Sequence, residues 1–434
     1  MDLKVTAWAH ISQNERSRLL NRSEAIVDKL LDDAGKIVDA VEKSGDSALI
    51  DFTARFDKVD LSETGLRVTD EEFSAAKELL SDAVIEALTV SVENVTRFHE
   101  TQRPAKFHQI ETYPGVFAGE RATPIPSAGL YVPRGKGSFP SMLYMLAVPA
   151  HIAGVPRICV TTPPNDDGSV DPACLYAAQL CGVHEVYRVG GAQAIAALAL
   201  GTESVQPVAK IVGPGSPYVA AAKRLLNGRV DTGLPAGPSE SIIIADGKAD
   251  PWKVALDLAI EAEHGEDSSA ILVTDSKTLA DRVTLALDRV IADLPEPRRG
   301  YVTTVLTTYG GIIMTGSIEE SLDFVNAYAP EHLQIQTEEP EKLLPGIVNA
   351  SEILLGGNLP FSVANYSAGP NAVLPTGGMA RTWSPVSVRD FLKFSSVISA
   401  TEEGLDKISE TVITLAEYEG FDAHAQALTR RKDG

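Results

Sequence analysis

Cysteine, positive charge, histidine and long apolar runs are all scarce in this 434-residue sequence, and each scarcity excludes something. The three cysteines, Cys159, Cys174 and Cys181, form no CxxC pair. That argues for free thiols in a reducing compartment and against a disulfide framework. Lys and Arg number 38 against 59 Asp and Glu, giving a net charge of -21. Such a surface repels phosphate backbones, so nucleic acid is not an expected partner. No apolar run reaches about 18 residues, so no transmembrane helix and no membrane partner are expected. The opening Met1-Asp2-Leu3-Lys4-Val5 lacks a signal peptide's apolar core, and the expected location is cytoplasmic. With only eight histidines in the chain, the few that stand beside carboxylates draw attention.

What is present is a chain 44% hydrophobic, ample for a real core and for more than one domain. Residues 14–50 and 70–100 carry apolar side chains at helical period, the second run starting from Thr69-Asp70-Glu71-Glu72 as a capped first turn. From Ala128 onward short apolar strands alternate with helices. Strand candidates are Ile158–Val160, Glu185–Val189, Ala209–Val212, Ser241–Ala245, Ala270–Val273 and Gly311–Met314. Alternation of this kind predicts parallel sheets with helices on their faces, in two successive α/β halves. The tail is expected to be helical over 386–395 and 401–418.

Chemistry concentrates at a few corners. Ala329-Pro330-Glu331-His332-Leu333 joins a helical run, Ile318 to Ala327, to a strand-like one, because Pro330 biases Ala329 away from the helix. A carboxylate beside an imidazole there can transfer protons near neutral pH; the alternative is a solvated pair in a turn. Glu261 and His264 are three apart at a helix end, so they share a face and could grip a divalent metal if other ligands arrive. The alternative is an ordinary helix end. Gly190-Gly191-Ala192-Gln193 and Gly213-Pro214-Gly215-Ser216 are strand-to-helix turns, suited either to an anionic cofactor or to nothing beyond a tight turn. The stretch 364–376 is too rich in Gly, Pro and Asn for a helix. Glu419 and His424 sit at a helix end interrupted by Gly420.

Taken together, Gly129-Leu130-Tyr131-Val132-Pro133, Gly190 to Leu198, Ala236-Gly237-Pro238-Ser239-Glu240, Ala262-Glu263-His264-Gly265, Pro330-Glu331-His332, Asn371 and Val373 to Thr376 resemble the histidinol dehydrogenase family. The resemblance spans roughly residues 15 to 430. It implies two α/β domains with incomplete Rossmann-like, aldehyde-dehydrogenase-like sheets, plus small helical terminal segments. The implied division is an N-terminal segment at 1–24, a discontinuous large domain at 25–129 and 239–386, a nucleotide-binding domain at 130–238 and a tail at 387–434. It further implies a homodimer in which one tail completes the partner's site. The implied reaction is a zinc-dependent oxidation, by two NAD in succession, of a primary alcohol through an aldehyde to a carboxylate. Carried over by motif, Glu331 and His332 are the catalytic acid/base pair, and Tyr131, Gln193 and Ser216 fall at cofactor contacts. Ser239, Glu261, His264, His332, Asn365, Ala372, Glu419 and His424 fall at substrate positions. Glu261, His264, Asn365 and His424 fall at metal positions.

This chain also departs from the family pattern. It has Glu261 where the family has Gln and Asn365 where it has Asp, an exchange that conserves summed ligand charge. Ala372 replaces a substrate-positioning histidine, and Ser216 a cofactor-contacting asparagine. Arg134, with Lys136 close behind, stands where the family has glycine; the two cations either attract an anionic substrate group or lie on the surface. These departures favour a relative that oxidises a different polar alcohol. The alternatives are a histidinol dehydrogenase of histidine biosynthesis, an enzyme that stops at the aldehyde or ketone, and a catalytically retired binding or regulatory homologue.

Overall fold

The computed structural model describes residues 3–20, 27–134 and 137–431. Its strands, in chain order, are β1 (Val5–Ala7), β2 (Phe107–Tyr113), β3 (Val116–Pro124), β4 (Ser127–Tyr131), β5 (Arg157–Thr161), β6 (Val186–Tyr187), β7 (Lys210–Val212), β8 (Glu240–Ala245), β9 (Ser269–Thr274), β10 (Gly311–Met314), β11 (His332–Gln336), β12 (Glu352–Leu355) and β13 (Leu392–Ala400). They form three sheets, and the chain divides into two units.

The larger unit comprises Met1–Gln102 and Pro126–Phe391 and holds two parallel sheets. One has six strands in the order β1-β10-β9-β8-β11-β12; the other has four, β6-β5-β4-β7. The expected α/β class is what is found. Strands β8 and β9 are buried at every position, as parallel strands covered on both faces must be. The six-stranded sheet packs Ile243, Leu272 and Ile312 against Val254, Leu258 and Val283 from helices Pro251–Ala262 and Lys277–Asp293 on one side. Ile242, Ile271 and Leu333 meet Phe324 and Tyr328 on the other. The four-stranded sheet is covered by helices Leu31–Phe56 and Gly191–Leu200.

Local chemistry sets the element ends. Thr69 and Glu72 close a reciprocal capping box, as the sequence predicts, although the helical run over 70–100 is broken into Asp70–Ala76 and Asp82–Glu100. Ala329 ends helix Ile318–Tyr328 in a left-handed conformation, φ 55°, with its N–H donating to the Val325 carbonyl. The left-handed Ala329 turns the chain sharply before β11 instead of taking the extended backbone that a following proline favours.

The smaller unit comprises Arg103–Ile125 and Leu392–Gly434. It contains the antiparallel sheet β13-β3-β2 and the helices Glu402–Tyr418 and Asp422–Thr429. Residues 386–395 are not the helix expected of them. Val388–Phe391 is a short 3-10 turn, and β13 starts at Leu392 and pairs with β3 along nine residues. That ladder, with Val397 and Ile398 favouring extended backbone, outweighs the local helical spacing. The N-terminal segment likewise contributes a strand, β1, besides its helix Gln13–Leu20. Among the described residues no helix is long and apolar enough to cross a membrane.

Candidate active site

The first residues of three neighbouring strands bring acids and an imidazole to one edge of the six-stranded sheet. Glu240 opens β8, His332 opens β11 and Glu352 opens β12. His332 lies in register with Glu352 on one side and with Ser241, next to Glu240, on the other. Glu331, one residue before β11, accepts a hydrogen bond at 2.8 Å from the Glu240 backbone N–H. His332 Nδ1 donates to Glu352 Oε2 at 2.7 Å, and its Nε2 lies 3.9 Å from Glu331 Oε1. The Phe361 ring meets the imidazole edge-on, 5.6 Å between centroids. Helix Pro251–Ala262 runs back to this edge and delivers Glu261, which is 1% exposed. Asn365, near the end of the short helix Phe361–Tyr366, donates from Nδ2 to Glu261 Oε1 at 2.8 Å. His264 Nδ1 sits 3.3 Å from Glu261 Oε2 and 3.1 Å from the Ile260 carbonyl. A carbonyl only accepts, so Nδ1 carries a hydrogen in this contact.

Burial and mutual charge tune this cluster. Burial pushes the Glu331 carboxyl well above the usual range; His332 opposes the shift and Glu261 adds to it. Burial alone would lower the His332 imidazole, but the carboxylates of Glu261, Glu331 and Glu352 outweigh it and raise it to about 10. Glu261 goes the other way: burial works against its charge, yet His264, His332 and the Asn365 amide hold it below the ordinary value. One carboxyl biased neutral, one biased charged and an imidazole between them is an acid/base arrangement.

A second set of residues gathers at the opposite, carboxyl end of the four-stranded sheet. Tyr131 ends β4, and its hydroxyl accepts from the Gly191 N–H at 3.1 Å. Burial raises that phenol to about 12. Gln193, in helix Gly191–Leu200, is buried with its Oε1 unpartnered. Ser216 stands at the N-cap of helix Pro217–Leu226. Gln193 and Ser216 line a cleft of about 640 Å³ together with Gly191, Phe52, Phe56 and Tyr218. Gly213 is required where it is: at φ 132° a Cβ would sit 2.1 Å from the Tyr131 carbonyl oxygen. A further cleft of about 370 Å³ runs from Gly213 and Gly215 to Thr376 and Gly377. The Gly377 N–H donates to the Glu240 carboxylate at 3.2 Å, so this cleft reaches the acid cluster.

The family model for histidinol dehydrogenase matches residues 20–432. The chain belongs to the histidinol dehydrogenase family. A histidinol dehydrogenase from Synechocystis sp. is 49% identical over 430 residues, covering 99% of both chains. A protein of Rhizobium meliloti named a histidinol dehydrogenase homolog is 50% identical over 427 residues, 98% of this chain and 94% of its own. The crystal structure of histidinol dehydrogenase from Elizabethkingia anophelis matches with a TM-score of 0.92 at 35% identity, over 99% of this chain and 97% of that one.

With the histidinol dehydrogenase family come NAD and zinc as cofactors, and the residues present fit both. Asn365 Oδ1 is buried without a partner beside the charged Glu261 carboxylate and the His264 imidazole. Oxygen and imidazole donors of this kind suit zinc. Among the described residues no three His, Cys, Asp or Glu side chains assemble as a metal group, so in the larger unit the set depends on the Asn365 amide. For NAD, the orphaned Gln193 Oε1 and the glycine turns supply a polar atom and close backbone approach.

Ser239, just ahead of β8, is half-buried and its carbonyl accepts from the Ser269 N–H. Ala372 is half-buried between Asn371 and Val373; Asn371 pins that loop, donating to the Met145 carbonyl at 2.5 Å and accepting from the Val373 N–H at 2.9 Å. The stretch 364–376 is irregular except at its start, where helix Phe361–Tyr366 carries Asn365. Arg134 is exposed and donates to the Pro164 carbonyl; Lys136 lies outside the described residues. Glu419 and His424 belong to the smaller unit, both exposed, the imidazole 5.2 Å from the Phe421 ring. Glu352 and Glu240 are site residues that sequence reasoning missed. Glu240 stood within a quoted motif, and Glu352 is signalled only as a lone carboxylate opening the apolar run Ile353-Leu354-Leu355.

Proposed function

We propose that this chain oxidises a polar primary alcohol through an aldehyde to a carboxylate, with two NAD used in turn. The observation that carries the reading is the buried Glu331–His332 pair, electrostatically coupled to Glu261 at the edge of the sheet. Zinc would be held by Glu261, His264 and Asn365, with His424 brought by the tail of a second copy. When bound, NAD accepts the hydride of each oxidation, and zinc supplies a Lewis acid whose charge offsets the carboxylates that keep His332 protonated. His332 Nε2 takes the hydroxyl proton in the first oxidation. Glu331, with its raised affinity for a proton, draws one from the water that adds to the aldehyde. Tyr131, Gln193 and Ser216 orient the nicotinamide cofactor from the 130–238 region, and Ser239 and Glu419 bind the substrate.

L-histidinol, oxidised to L-histidine, is the substrate that the names of the Synechocystis relative and the solved structure support. A different polar alcohol is the second reading. Ala372 leaves no polar side chain at its position, and several relatives at 46–50% identity are named only as homologs. A homodimer in the cytoplasm fits the rest. The smaller unit leaves Ile110, Ile398, Leu415, Tyr418 and Phe421 exposed, a set that a second copy would cover, and all three cysteines are free and buried.

The test is NAD reduction with zinc present, over histidinol, other amino alcohols, sulfonated and carboxylated polyols and aromatic alcohols. NADH formation with histidinol supports the first reading and with another alcohol alone the second. No NADH from any of them contradicts both and returns the retired scaffold.

A further inference from the structure

Glu352 adds its charge to the field around His332, and its placement gives it more to do than that. It opens β12, and its register partner on β11 is His332. Register partners on neighbouring parallel strands point to the same face, so the sheet itself aims carboxylate and imidazole at each other. The backbone reinforces the register: the Glu352 N–H donates to the Glu331 carbonyl and the Ser351 N–H to the Pro330 carbonyl, both at 3.1 Å. The two side chains are nearly buried, 4% exposed for His332 and 9% for Glu352, and their contact is a charge-assisted hydrogen bond of 2.7 Å. Phe361 fixes the ring from its edge. With Nδ1 committed to Glu352, the one imidazole nitrogen free for chemistry is Nε2, and that nitrogen faces Glu331.

We propose that Glu352 is a positioning residue for His332: it holds the imidazole by Nδ1 so that Nε2 meets the alcohol proton in the first oxidation. The inference rests on the dehydrogenase reading above. A carboxylate behind a working histidine acts by fixing ring orientation and by stabilising the protonated ring that forms, and it does so without touching substrate. Two neighbouring carboxylates are engaged elsewhere, which makes the assignment specific. Glu331 is engaged by the Glu240 N–H, and Glu261 by Asn365 and His264, so neither makes the Nδ1 contact.

The test is steady-state kinetics of the zinc-loaded enzyme with Glu352→Gln and Glu352→Asp beside the wild type, on the alcohol the wild type oxidises. The Gln side chain keeps the volume but can present its amide N–H to Nδ1 and so favour the wrong tautomer. We expect kcat of Glu352→Gln to fall about 100-fold or more while KM for NAD and for the alcohol stay within about threefold. Glu352→Asp, which restores the charge on a shorter arm, should recover at least about tenfold of that loss. Melting curves accompany both variants, and if Glu352→Gln does not fold, Glu352→Asp carries the test with a drop in kcat at unchanged KM. A folded Glu352→Gln with wild-type kcat overturns the proposal, as does a loss that appears in KM alone. A wild type that reduces no NAD fails in the control arm instead; it removes the dehydrogenase reading, and the role of Glu352 with it.

Discussion

In the six-stranded sheet, β8, β9 and β11 are buried at every residue; in the antiparallel sheet, β2 is exposed at every residue and β13 at all but its first. The larger unit finds its own cover. Helices from the same chain lie over both faces of its main sheet, and the acids at the strand ends are desolvated as a result. The smaller unit buries little more than Gly404, Ala416 and Ala425 in its helices, and leaves Ile398 72% and Tyr418 90% exposed. Yet this is where Glu419 and His424 sit. On the proposed function, the Glu331–His332 pair is made by folding, whereas the contribution of Glu419 and His424 would be made by assembly.

The largest effect should come from the self-sufficient unit. His332→Ala removes the group proposed to move the first proton and should lower kcat by about 1,000-fold, read by NADH formation, with the melting temperature little changed. A wild-type rate would place the chemistry elsewhere.

Next, the two units should respond differently to apolar lesions. Ile243→Ala, in the middle of β8, should cost about 2–5 kcal/mol of unfolding free energy in a denaturant titration, whatever the protein concentration. Leu415→Glu with Tyr418→Glu should leave the larger unit's melting unchanged. It should weaken self-association by at least about 30-fold, seen by sedimentation, with activity becoming concentration-dependent. A double variant that stays active and dimeric at high dilution would break the comparison.

The smallest effect is a polar cost of being covered. Burial raises the Asp257 carboxyl to about 6, against the hydrogen bonds from Gln334 and Gln336 that favour its charge. The folded state therefore binds more protons than the unfolded one between about pH 4 and 6, so stability falls as pH rises through that window and the penalty is complete above it. Asp257→Asn should raise stability at pH 7.5 by up to about 3 kcal/mol and have almost no effect at pH 3.5. A gain that is the same at both pH values would contradict this.

How much of this was legible beforehand follows the same divide. The run Ser241–Ala245 reads as a strand because a strand buried on both faces is continuously apolar, and β8 occupies Glu240–Ala245. The pairs Glu331–His332 and Glu261–His264 read as chemistry because their members are adjacent or one helical turn apart. β2 and β3 carry no strand signal in the sequence, and the start of β13, 392–395, falls in a run expected to be helical, because exposed strands carry no burial pattern and owe their conformation to distant partners. Glu352 was missed for the same reason: its partnership with His332 spans 20 residues and exists only through the register of β11 with β12.

On the proposed function one buried cluster performs two successive oxidations, with His332 serving the first and Glu331 the hydration that permits the second. Counting NADH formed per alcohol consumed tests it most directly, in the wild type and in Glu331→Gln. The account predicts two in the wild type, and one in the variant with aldehyde recoverable by a hydrazine trap. A Glu331→Gln enzyme that still yields two NADH and the full amount of acid would contradict it.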